Sequence, residues 1–229
     1  MARTTTKEVY VNISGKKAIE NFIELLSDAL TYIEFTLTYK EGVMKVRLYG
    51  EKEVVNQSVI TVKSYGRMFS QSTTPNKNGC YIHNLKLIQQ IGSKIISLEI
   101  INEVLVRSGV HSEVEGQDLI TSATMYEVQQ VLEELHNLIQ EIPLTVRTQT
   151  MKRVLTTVSY CTGLNPSFII EKGLELDYFK INQNMISVNY HPKKCIEDLI
   201  ELMSEGNVQS EYDDFVKKEE TDNQMFLKK

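Results

Sequence analysis

The sequence predicts an α+β protein made of repeated helix-hairpin-helix (αββα) modules, the first extended by a leading strand into an N-terminal βαββα sheet with helices on one face. Three observations carry this. Short runs alternate apolar and polar residues around Gly- or Asn-containing turns, the pattern of half-buried hairpins. Between those runs apolar residues recur every three or four positions, the pattern of helices with one buried stripe. Finally, Val114, Leu119, Val128, Leu132 and Leu135 reappear 67 positions later as Ile181, Ile186, Cys195, Leu199 and Leu202, each set spanning a hairpin and its following helix.

The first element is a strand over Glu8–Ile13, with Val9, Val11 and Ile13 on one side and Tyr10 and Asn12 on the other. Ser14 then caps a helix from Gly15 to Leu30, whose stripe is Ile19, Phe22, Ile23, Leu26 and Leu30. A hairpin over Tyr32–Tyr49 follows. Ile33, Phe35, Leu37 and Tyr39 alternate with Glu34, Thr36 and Thr38; Glu41-Gly42 turns the chain; Met44, Val46 and Leu48 alternate with Lys45, Arg47 and Tyr49. Val55, Val59, Val62 and Phe69 then mark a helix over Glu51–Phe69. Residues 70–79, SQSTTPNKNG, lack apolar periodicity and are expected as a linker, with a boundary near residue 75.

Cys80–His83 reads as a short strand, and Leu85–Ile91 and Leu98–Arg107 as helices, the second ended by Gly109. Two short strands around Glu115-Gly116 lead to a helix over Met125–Ile142 that Pro143 ends. A helix over Thr148–Tyr160 stops at Gly163, Asn165 caps another with Pro166 in its first turn, and strand-like pieces flank Asn182-Gln183-Asn184. His191-Pro192 opens the last helix. Expected domains are 1–75, 79–142 and 144–204, followed by an acidic, mostly disordered tail over 205–229.

A chain of 229 residues with 41% hydrophobic and 24% charged content suits a globular protein with a sizeable core. No apolar run approaches a membrane span, and MARTTTKEVY lacks the apolar core of a secretory signal, so a cytoplasmic protein with no membrane contact is expected. Cys80, Cys161 and Cys195 are odd in number and widely spaced, as reduced thiols would be. The net charge of −5 argues against a polyanionic partner, but it is unevenly spread. Residues 1–80 hold 11 Lys/Arg against 8 Asp/Glu, residues 81–160 hold 6 against 9, and residues 161–229 hold 8 against 13.

The basic third contains the first hairpin, and with it the main functional lead. If the first strand pairs beside it, Tyr10, Lys45, Arg47 and Tyr49 share an uncovered face, with Lys52, Lys63 and Arg67 of the next helix extending the charge. Aromatic rings that stack on bases, next to cations that neutralise phosphates, are what single strands require. The alternative is a solvated strand face whose tyrosines and lysines are good strand formers or oligomer contacts. Lys16-Lys17 and Lys193-Lys194 each stand at a helix start, where the dipole prefers anions; a bound phosphate would resolve that conflict, and so would solvated ammonium groups. SGKK lacks the upstream glycine of a phosphate-binding loop. Leu85–Ala123 imitates a winged helix-turn-helix, but Glu99, Glu103, Glu113, Glu115 and Asp118 would repel phosphates. Cys80, His83, His191 and Cys195 have zinc-like spacing, although Cys195 falls on an apolar helix stripe and reads as a buried thiol, so neither metal nor cofactor is expected. No catalytic constellation is present in the sequence, and a non-enzyme is expected.

The segment VLVRSGVHSEVEGQDLITSATMYEVQQVLEEL, after an N-terminal unit containing VRLYGEKEVV, resembles an uncharacterised archaeal family of about this length, familiar from thermophilic crenarchaea, over most of residues 8–204. The N-terminal unit is also similar to the DNA-binding domain of archaeal ThermoDBP-type single-stranded DNA-binding proteins. That similarity implies oligomeric, sequence-tolerant binding of single strands through basic and aromatic side chains. The leucine-rich oligomerisation segment of those proteins has no counterpart here. Together these features favour a non-enzymatic protein that binds single-stranded RNA or DNA, possible as a homo-oligomer. The alternative is an acidic scaffold whose tail docks a protein partner.

Overall fold

The computed structural model describes residues 4–13, 15–92, 96–183, 185–204, 208, 211–213, 215 and 216. The fold is α+β with small antiparallel sheets. Its chain divides into two compact units, Met1–Leu98 with Val110–Gln129 and Glu99–Gly109 with Gln130–Lys229.

In the first unit, β1 (Thr4–Asn12), α1 (Lys16–Ala29), β2 (Glu34–Lys40), β3 (Val43–Glu51) and α2 (Lys52–Thr73) follow the βαββα order. Ser14, expected as the cap of α1, lies outside the described residues. Strand β3 is central, with β1 antiparallel on one side and β2 antiparallel on the other. Glu41 and Gly42 both adopt positive φ, 52° and 84°, the two-residue turn whose twist matches a hairpin. The register sets Phe35 opposite Leu48 and Leu37 opposite Val46 on one face. There Val46 and Leu48 join Val9 and Val11 of β1, Phe22 and Leu26 of α1, and Val55, Val62 and Phe69 of α2 in a single core. Each such burial is worth about 1.5–3 kcal/mol before entropy. Helix α2 lies close on β1 because Gly66 has no side chain: a Cβ there would stand 2.7 and 2.9 Å from the two methyls of Val11.

The linker expected at 70–79 is not a boundary. Helix α2 continues to Thr73, and buried Ser72 donates its hydroxyl to the carbonyls of Met68 and Ile82 at 3.0 and 3.1 Å, tying the helix end to β4 (Tyr81–Asn84). The Asn76 side chain accepts from the Asn78 and Cys80 amides and folds the remainder into a turn. The polar composition that suggested a loop is a helix end whose hydroxyls bond back to the carbonyls four residues earlier. Helix α3 (Leu85–Gly92) follows, and β5 (Ser112–Glu115) and β6 (Asp118–Thr121) complete a second sheet in the order β4-β6-β5.

The second unit contains nearly all of α4 (Leu98–Arg107), most of α5 (Met125–Glu141), α6 (Gln149–Thr162), α7 (Pro166–Glu175), the hairpin β7 (Phe179–Asn182) and β8 (Met185–Val188), and α8 (Pro192–Met203). Thr148 caps α6, accepting from Met151 N–H, and Gly163 ends it in the left-handed conformation; Asn165 caps α7 with Pro166 in its first turn. The core gathers Val154, Leu155 and Val158 of α6, Phe168 and Ile169 of α7, Phe179, and Cys195, Ile196 and Leu199 of α8. Gly173 leaves room for the Phe179 ring, which any side chain at 173 would overlap.

In chain order, helix, hairpin and helix follow one another three times among the described residues, and Val114 faces Leu119 as Ile181 faces Ile186. The packing does not repeat with the order. Two hairpins gain a third strand while β7-β8 stays a pair among the described residues, and the compact units cut across the middle set. The acidic tail is also less free than expected. Residues 208, 211–213, 215 and 216 are helical; Tyr212 and Phe215 meet the Phe168 ring edge-on at 5.1 and 5.4 Å, and Lys172 pairs with Glu211 at 2.6 Å. The rest of 205–229 lies outside the described residues.

Candidate nucleic-acid interface

Strand alternation turns Glu8, Tyr10, Lys45, Arg47, Tyr49, Thr36 and Thr38 onto the face of the first sheet opposite the core. The register aligns them in rows across the strands. Tyr10, Lys45 and Thr38 form one row; Glu8, Arg47 and Thr36 form the next; Thr6, Tyr49 and Glu34 form the third. Helices α1 and α2 pack on the other side, where the core lies. Tyr10 is 62% exposed, and Lys45, Arg47 and Tyr49 are half-buried among these neighbours. The four residues expected on one surface are therefore brought together.

Glu8, for which no role is expected from the sequence, stands at the centre of this face. Its carboxylate accepts from Lys45 Nζ at 2.9 Å, from Arg47 at 2.6 and 2.8 Å, and from the Tyr10 hydroxyl at 2.8 Å. Those bonds, Lys45 first, then Tyr10 and Arg47, hold the Glu8 pKa at about 2, so it stays ionised near neutrality. In return Glu8 raises the pKa of Arg47, and bonds to Thr36 and then Arg47 lower that of Tyr49. Lys45 Nζ also stands 5.9 Å from the Tyr10 ring centre. The face expected to be basic is charge-balanced, because alternation places Lys40, Lys45 and Arg47 beside Glu8, Glu34 and Glu51.

The other candidates sit elsewhere. Lys52, Lys63 and Arg67 are exposed on α2, in the layer that covers the apolar side of the sheet, so they do not extend its outer face. Lys16 is 4.0 Å from Glu20, and the Lys17 ammonium stands 5.9 Å from the Tyr126 ring centre. Lys193 and Lys194 belong to the second unit, where Lys194 is 5.5 Å from the Tyr190 ring centre. His83 is buried with Nε2 2.9 Å from the Ala123 carbonyl, and burial lowers its pKa; burial pushes the Cys195 thiol up. Among the described residues no three His, Cys, Asp or Glu side chains gather as a metal site. Strand alternation already put Glu8 on the side of Tyr10, but seeing that it reaches Lys45 and Arg47 requires the β1-β3 register.

A family model described as an uncharacterized protein conserved in archaea (DUF2067) matches residues 11–197, and the chain belongs to that family. No curated protein matches the chain. Among solved structures, a chain of the crystal structure of the a/eIF2alpha-aDim2p-rRNA complex from Pyrococcus horikoshii OT3 is similar at 16% identity, over 57% of this chain and 82% of that one, with a TM-score of 0.19. Overlap of that extent carries no statement about fold or function.

Proposed function

We propose that this archaeal protein is a non-enzymatic binder of single-stranded RNA or DNA, with the outer face of the β1-β3-β2 sheet as its contact surface. The observation that supports this is the alignment of Tyr10, Lys45, Arg47 and Tyr49 on a sheet face opposite the helices. A base stacks on the exposed Tyr10 ring, Lys45 and Arg47 take the backbone phosphates, and the Thr36 and Thr38 hydroxyls bond to phosphate or sugar. Glu8 holds both cations in place before the strand arrives, and phosphates then compete with it for their donors.

Fluorescence anisotropy of labelled single-stranded oligomers at low salt tests the reading. The wild-type protein saturates at micromolar concentration, and the double variant Lys45→Glu/Arg47→Glu does not. Both side chains sit on the solvated face, so circular dichroism of the double variant matches the parent. Binding that survives the double charge reversal overturns the assignment.

A further inference from the structure

We propose that a cavity of about 160 Å³ in the first unit is a binding site for a small organic monoanion with a flat apolar body, of the size of benzoate. Phe69 of α2, Leu87 of α3 and Met125 of α5 line it; the first two are buried core residues and Met125 packs against that core. Lys17 and Asn21 of α1 and Tyr126 and Gln129 at the start of α5 also line it. The site is independent of the sheet face, because α1 and α2 lie on the opposite side of the sheet.

Two features define the ligand. Lys17 carries the only formal charge among the lining residues, and among the described residues it meets the Tyr126 ring at 5.9 Å and no carboxylate. The hydroxyls of Ser72 and Thr73, which also line the cavity, already donate to main-chain carbonyls, so the donors left are the Lys17 ammonium and the amides of Asn21 and Gln129. Apolar walls with one cation and two amide donors suit a hydrophobic body ending in a carboxylate. A neutral body leaves the ammonium without an anion, and a bare anion leaves the apolar walls unfilled. Tyr126, whose ring Lys17 faces, completes the wall of the cavity.

Methyl NMR of the full-length protein, reading the Met125 methyl, tests this with three probes. Benzoate is expected to shift that resonance saturably. Benzyl alcohol, with the same body and no charge, binds about tenfold more weakly, and acetate, with the charge and no body, leaves the resonance unmoved. Lys17→Gln, at an exposed position, lowers benzoate affinity about tenfold and leaves benzyl alcohol unchanged. Ala18→Phe fills the cavity and abolishes both shifts. Equal affinity for benzoate and benzyl alcohol, an unchanged benzoate affinity in Lys17→Gln, or a benzoate shift that persists in Ala18→Phe overturns the proposal. Because nucleic-acid binding is read at Lys45 and Arg47, either result leaves the sheet-face reading to its own test.

Discussion

The β2-β3 and β7-β8 hairpins both run between two helices, yet one ends as part of a charged three-stranded face and the other as a short pair. Strand β3 is nine residues long and takes β1 on its free side, so residues from outside the hairpin enter its surface, Glu8 foremost. Strands β7 and β8 have four residues each and pair only with one another among the described residues. Their exposed side chains include Ile181 at 60%, and the nearest ring contact is local, Tyr178 to Tyr190 at 5.7 Å. The chemistry of a hairpin's face thus depends on which strand lies next to it, and that neighbour is set by long-range pairing.

The largest effect that would sharpen this contrast is on binding. Lys45→Glu/Arg47→Glu should weaken single-strand affinity about a hundredfold at low salt, while Lys180→Glu on β7 changes it less than about twofold. Comparable losses at both hairpins would erase the distinction. The next effect concerns helix-sheet packing in each unit. Gly173→Ala should destabilise the protein by about 2 kcal/mol in denaturant unfolding, since the Phe179 ring cannot yield, and Gly66→Ala by about 1 kcal/mol, because overpacking against Val11 is partly offset by the better helix propensity of Ala. Ending the chain after Ser204 removes the Tyr212 and Phe215 contacts with Phe168 and should cost about 1 kcal/mol, seen as an earlier thermal transition; an unchanged transition would show that the tail lends the core nothing.

The smallest effect comes from Glu8. Glu8→Gln should tighten binding about threefold at low salt by removing the competing anion. It should also remove a pH dependence. With its folded pKa depressed from 4.5 to about 2, the Glu8 carboxylate contributes stability that is full above pH 4.5 and is lost as pH falls toward 2. The difference in stability between parent and variant should shrink across that window, and a constant difference would mean that the network does not stabilise the fold.

Elements with strong local signals were readable from sequence. Alternation and Glu41-Gly42 mark the first hairpin; Gly163, Asn165 and Pro166 mark the turn between α6 and α7, although α6 runs to Thr162 rather than Tyr160. What escaped depends on partners distant in sequence. Ser70 to Thr73 looked like a loop because nothing local shows that Ser72 meets Ile82. Tyr212 and Phe215 looked like parts of an acidic tail because their partner Phe168 is more than 40 positions away. The outer sheet face was half legible: which side chains point outward follows from parity, but their charge balance follows from strand order.

The Glu8 carboxylate amounts to a counter-ion built into the chain. A polyanion that displaces it from Lys45 and Arg47 exchanges a tethered negative group for a phosphate, so fewer salt ions are set free than two cations would otherwise release. Affinity should therefore decline with ionic strength less steeply than about 0.7 per phosphate for two contacts implies, and the full slope should return when Glu8 is neutralised.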